Sequence, residues 1–265
     1  MTTQHATEAR ETESAQRTGV YVYGIVPADV EPEEQAAGVG DPPSTIDVVR
    51  HDEISALVSN VAVDRQFGTP DDLTAHARLL DGAAAVAPVL PLRFGAVMSD
   101  PEAVKRELLE ANYDEFRAAL EELEGKAQFV VKGRYVEGTI LREVLDENAE
   151  AARLRDEIRD KPEDATRNAR IALGEIVNQA VTAKRAEDTR QLLTLLEPLT
   201  SLVNQREPTH EEDAAHFAIL LELSKQSDLE ATLSQLADEW EERVELSLLG
   251  PMAAYDFVTK RAPEG

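Results

Sequence analysis

A chain of 265 residues, 42% of them apolar and none in a long low-complexity tract, belongs with folded globular proteins and is long enough for two domains. The absence of cysteine excludes a disulfide framework, thiolate catalysis and Cys-ligated metal centres, and it fits a reducing cytosol. With 27 Lys and Arg against 52 Asp and Glu, the net charge of -25 repels phosphate backbones and anionic lipid heads, so neither nucleic acid nor a lipid membrane is an expected partner.

Met1 to Thr18 is polar, with no apolar signal-peptide core, and is expected to be a disordered acidic tail (residues 1-18) of a cytoplasmic protein. No run approaches the roughly 20 apolar residues that cross a bilayer. Val20 to Val26 is a nearly continuous β-branched and aromatic run ended by Pro27, as expected of a central strand buried on both faces. Pro27 to Ser44 holds four prolines and reads as a long surface loop, functional or disordered. Ile46 to Val49 and Ile54 to Val61 form a hairpin around residues 50-53. Asp71 or Asp72 can cap a helix whose apolar positions are Leu73, Ala77, Leu80 and Ala84.

Val89 to Met98 reads as one further strand, at an edge or bulged because of Pro91 and Gly95. Ser99 caps the next helix, with an apolar stripe of Leu109, Tyr113, Phe116, Leu120 and Leu123 that Gly125 ends. From Lys126 the pattern restarts. Phe129 to Val131 is a strand, and Leu141, Val144, Leu145, Leu154 and Ile158, then Ile171, Ile176, Val177 and Val181, mark a long helical region interrupted at Pro162. Ser201 to Glu207 pairs with Ala214 to Leu223. Leu229, Leu233, Leu236, Trp240 and Val244 form a helical stripe, and Leu246 to Leu249 begins a last strand. The expected fold class is therefore α+β in two domains. One is a mixed layer domain over 19-125, and the other a ferredoxin-like split βαβ domain over 126-265 with an enlarged helical crossover.

The search for chemistry gives no catalytic, metal or cofactor site. His210 and His216 stand six apart rather than four, so the metalloprotease spacing is not met and a capped, solvated turn is expected there. His76 has no Ser or Asp at a spacing that proposes a triad, and it reads as a residue at the edge of the core. Arg93 lies between Leu92 and Phe94 and must face solvent or meet a carboxylate. It is either an edge-strand arginine tied to a neighbouring Asp or Glu, or part of an edge that docks a partner.

The opening Tyr21-Val22-Tyr23-Gly24-Ile25-Val26, the middle Val89-Leu90-Pro91-Leu92-Arg93-Phe94-Gly95, Tyr135-Val136-Glu137, and the closing Gly250-Pro251-Met252-Ala253-Ala254-Tyr255-Asp256-Phe257-Val258 together resemble the gas vesicle protein F/L family. The similarity runs from Val20 to Val258 and departs only where the family often carries a proline, at Ala253-Ala254. It implies a non-enzymatic accessory or minor structural component, free of cofactors, that binds the main gas vesicle shell protein and other accessory proteins. The residues carried over as motif or partner-binding candidates are Tyr23, Pro91, Leu92, Arg93, Phe94, Gly95, Gly250, Pro251, Tyr255 and Phe257. Docking is expected at the edge containing Pro91 to Gly95 or at the strands near Ala214 to Leu223. A ferredoxin-like regulator that senses a small metabolite is the alternative.

Overall fold

The computed structural model describes residues 18-33, 36-64 and 67-258, so the expected tail lies almost wholly outside the described residues. It contains two antiparallel sheets clad by helices. Among the described residues no helix is long and apolar enough to cross a membrane.

The first sheet is built on β1 (Thr18–Pro27), flanked by β3 (Ile54–Ala62) and, beyond it, β2 (Asp47–His51). Asp52, at φ +48, closes the expected β2–β3 hairpin. Val20 to Val26 is buried on both faces: Tyr21 and Tyr23 pack toward α1 (Pro70–Ala84), Val20 and Val22 toward α3 (Tyr113–Leu123). A bulge between Val22 and Gly24 then swaps the parity, sending Ile25 to the α3 side and Val26 to the α1 side.

Several expectations are corrected. The strand expected over 89-98 is two short stretches, β4 (Leu90–Pro91) and β5 (Val97–Met98), both on β1 and separated by a turn. Helix α1 is capped by Thr69, whose hydroxyl accepts from Asp72 N–H while the Asp72 carboxylate accepts from Thr69 N–H. Its buried face is Asp72, His76, Leu80 and Ala84, and Leu73 is 49% exposed. Asp100, not Ser99, caps α2 (Pro101–Ala103), which runs into a π-helical segment, Val104–Glu110, before α3. The proline-rich loop is anchored: Val39 is fully buried and its N–H donates to Tyr23 Oη at 2.8 Å.

The second sheet runs β7 (Leu202–Gln205), β8 (Asp213–Glu222), β6 (Lys126–Tyr135), β9 (Val244–Met252). With α4 (Thr139–Glu147), α5 (Ala149–Ile158) and α6 (Glu163–Leu196) between β6 and β7, and α7 (Gln226–Glu239) between β8 and β9, this is the ferredoxin-like order with an enlarged crossover. Leu192 and Leu196 of α6 and Leu229, Leu233 and Leu236 of α7, with Trp240, cover Phe129, Val131, Phe217 and Ile219. Asn148, not foreseen as a break, ends α4 and caps α5. Leu141 and Ile171, expected on the apolar stripe, are 43% and 53% exposed.

Candidate functional site

The turn between β4 and β5 is held at both ends by the bulged centre of β1. Leu92 N–H donates to Tyr23 O at 2.9 Å, and Val22 N–H donates to Ala96 O at 2.9 Å. At its apex Gly95 takes φ +89, a left-handed conformation with open space where a Cβ would stand. Gly95 N–H donates to Tyr21 Oη at 3.0 Å, and the same hydroxyl shares a hydrogen bond with His76 Nδ1, 2.9 Å away. His76 Nε2 has no hydrogen-bond partner among the described residues.

Around this chain of bonds the rings close up. Phe94 meets His76 edge-on at 5.5 Å and Tyr21 at 5.9 Å, and Tyr21 lies 4.7 Å from Tyr23. Burial lowers the His76 pKa to about 4 and pushes Tyr21 up to about 12. The cluster is therefore neutral at ordinary pH. Tyr23, fully buried, shares a 2.8 Å hydrogen bond with Ser59 Oγ.

The closing motif reaches the same core from the other sheet. Ala253 packs with Tyr21 and Tyr23, Ala254 with Val20 and Leu220, and Tyr255 and Phe257 sit half-buried beside them. Ala253 N–H donates to Asp81 Oδ1 of α1 at 3.0 Å. Asp256 gathers Gln128 Nε2 at 2.7 Å, Asn204 Nδ2 at 3.1 Å and both Nε and Nη2 of Arg206, and its own N–H donates to Gln128 Oε1. Gly250, at φ +137, admits no side chain, since a Cβ would stand 2.6 Å from the Phe129 ring.

The structure thus divides the motif residues. Tyr23 and Pro91 are buried, Tyr255 and Phe257 are half-buried at the joint between the sheets, and Gly250 and Pro251 stand near the end of β9, Gly250 exposed. Leu92 and Phe94 are half-buried flanks of the turn. Arg93 and Gly95 are exposed, and Arg93 forms no ion pair with a carboxylate of the described residues. Of the two readings of Arg93, the tie to a neighbouring Asp or Glu is therefore not what holds it. His76, Asp81, Gln128, Arg206 and Asp256 were not singled out as site residues, because their partners lie far away in sequence.

Elsewhere, a groove of about 430 Å³ lies beside the start of β8, lined by Arg185, Thr189, Arg206 and His216 among others. Among the described residues no three His, Asp or Glu side chains converge as a metal-binding group.

The sequence profile described as "Gas vesicle synthesis protein GvpL/GvpF" matches residues 19-259, which is most of the chain. The chain belongs to the GvpL/GvpF family. It is 30% identical over 242 residues to gas vesicle protein F of a Streptomyces species, spanning 90% of this chain and 98% of that protein. Gas vesicle protein F of a Nostoc species is 22% identical over 91% of this chain and 98% of its own length. Gas vesicle protein L of the same Streptomyces is 31% identical, but over only 42% of this chain and 46% of its own. In three dimensions the fold matches the crystal structure of GvpF from Anabaena sp., with a TM-score of 0.75 at 22% identity over 91% of this chain and 98% of that one. The GvpF crystal structure from Microcystis aeruginosa matches with a TM-score of 0.72 at 18% identity, over 91% and 99%. The α+β class with two helix-clad sheets is thus that of GvpF, and the family places this chain among the gas vesicle proteins.

Proposed function

We propose that this chain binds the main gas vesicle shell protein and other gas vesicle accessory proteins during nucleation and assembly, in the cytoplasm and on the vesicle, and that it catalyses no reaction. A subunit made for a water-excluding wall is an aggregation hazard before assembly, and an acidic binding protein would keep it dispersed. The observation that carries the reading is the exposed Arg93 on a turn whose every anchor, Tyr21, Tyr23, Phe94 and His76, is locked in place behind it. An exposed guanidinium on an acidic chain, paired with no carboxylate among the described residues, supports reading Arg93 as a recognition group.

Strand addition near Ala214 to Leu223 drops out of this reading, because β8 is enclosed between β7 and β6. The two-residue β4 and β5 are too short for it as well, so side chains of the turn make the contact. Co-expression of tagged chain with the main shell protein, followed by capture, tests this. Arg93→Glu, which changes one exposed side chain, is expected to lose most of the captured shell protein while keeping the parent's melting curve. Undiminished capture by that variant removes the turn from the interface. Thermal stabilisation by small metabolites in the groove beside Arg206, without any shell-protein capture, would instead favour the sensor reading.

A further inference from the structure

The two sheets differ in how their edges are protected. The edge strand β2 carries Asp47, Arg50 and His51 in five residues, and β7 has only four residues. Strand β9 is nine residues long, lies at the edge of the second sheet, and carries Glu245 as its one charged side chain. Long edges without charge or an early proline are the kind that take up another strand.

The hydrogen-bond alternation fixes which groups are free. Arg206 N–H donates to His216 O, so His216 bonds toward β7 and its partner Lys132 bonds toward β9. Ser247, opposite Lys132, therefore bonds inward, in line with Arg243 O accepting from Val136 N–H. Leu246 and Leu248 then direct their N–H and C=O groups outward, and these four groups meet no partner among the described residues.

We infer that β9 pairs with β9 of a second copy of this chain, antiparallel about a two-fold axis at Ser247, joining two four-stranded sheets into one of eight. In this register Leu246 of each copy faces Leu248 of the other, so all four outward backbone groups of each copy are satisfied. The four leucines meet on one face. On the other, Glu245 lies opposite Leu249 and keeps its own neighbour Arg134, so no like charges oppose each other. Strand β9 itself contributes only Glu245 to the seam, and salt that screens the repulsion between two acidic chains strengthens the pairing.

Because the chain has no cysteine, a single introduced thiol reports the contact directly. In the full chain, Ser247→Cys is expected to form an intermolecular disulfide at least about tenfold faster than Ser234→Cys on the exposed face of α7. Sedimentation over a wide concentration range is expected to show a monomer–dimer equilibrium. Leu248→Pro removes one outward N–H without touching the β6 ladder, and Ser247→Lys places two cations on the axis. Each is expected to raise the dimer dissociation constant at least about tenfold. A chain that stays monomeric with Ser247→Cys no faster than the control overturns the inference. So does a dimer that the Ser247→Lys variant leaves intact.

Discussion

Ala253 N–H donates to the Asp81 carboxylate across 3.0 Å, so the end of the second sheet's last strand is bonded to the first helix of the first sheet. Burial raises the Asp81 pKa, an effect the Ala253 bond partly offsets. A carboxyl whose folded pKa is raised stabilises fully below its unfolded pKa, and that contribution fades as pH climbs through the folded value. At neutral pH Asp81→Asn keeps the acceptor and discards the buried charge, so urea unfolding is expected to give a stability equal to or above the parent's. Asp81→Ala strands a donor and is expected to cost about 1–3 kcal/mol.

His76 sets an acid limit of the opposite kind. Its folded pKa, about 4, lies below the 6.5 of an unfolded imidazole, so its contribution is complete above pH 6.5 and is lost as pH falls toward 4. Within that window the stability difference between parent and His76→Gln is expected to shrink by about 1.4 kcal/mol per pH unit. A difference that stays flat between pH 7 and pH 5 by urea unfolding would show that the ring is not held neutral.

Two glycines separate strain from collision. Gly95→Ala meets open space but must hold φ +89, so a loss of about 1–2 kcal/mol is expected. In Gly38→Ala the obstacle is steric, since the new Cβ would stand 2.4 Å from Tyr23 Oη and 2.9 Å from Ser44 O. It is expected to cost more than Gly95→Ala and to shift the tyrosine absorbance of the native state. Equal losses in a denaturation series would contradict that order.

A partly buried charge network bolts the helical crossover to the second sheet. Arg243 reaches Asp188 through Nη1 and Nη2, both at 2.9 Å, and Glu143 through Nε at 2.5 Å, while Tyr135 Oη donates to Asp188 at 2.5 Å. Asp188 is only 4% exposed, so Arg243→Ala leaves a carboxylate with little solvent and is expected to cost about 3–5 kcal/mol. Arg134, on the surface with Glu212, gives the comparison: Arg134→Ala is expected to cost less than about 1 kcal/mol by the same denaturation measurement.

What could be read in advance follows from which signals are local. Val20 to Val26 announced a strand buried on both faces because every residue in it but Gly24 is apolar or aromatic, and the ferredoxin-like order was legible from the alternation of strands and helical stripes after Lys126. The face of α1 departs from the expected stripe because its inward positions include Asp72, which hydropathy assigns to solvent, and His76, expected at the edge of the core and buried within it. They are buried because Thr69 and Gly68 donate to the Asp72 carboxylate, and because Tyr21, 55 residues away, meets the imidazole. Val89 to Met98 looked like one strand since its apolar run hides the left-handed Gly95 that turns it. The motif residues were found as letters, but their division into joint and exposed apex required partners from both ends of the chain.

The joint has a consequence for synthesis. Ala253 and Tyr255 fill space around Tyr21 and Tyr23, so residues translated more than two hundred positions later complete the core that β1 begins. A nascent chain must carry its first sheet unfinished, with aromatic rings uncovered, until Ala253 and Tyr255 have left the ribosome, and a fragment cut before Gly250 never acquires the plug that seals it.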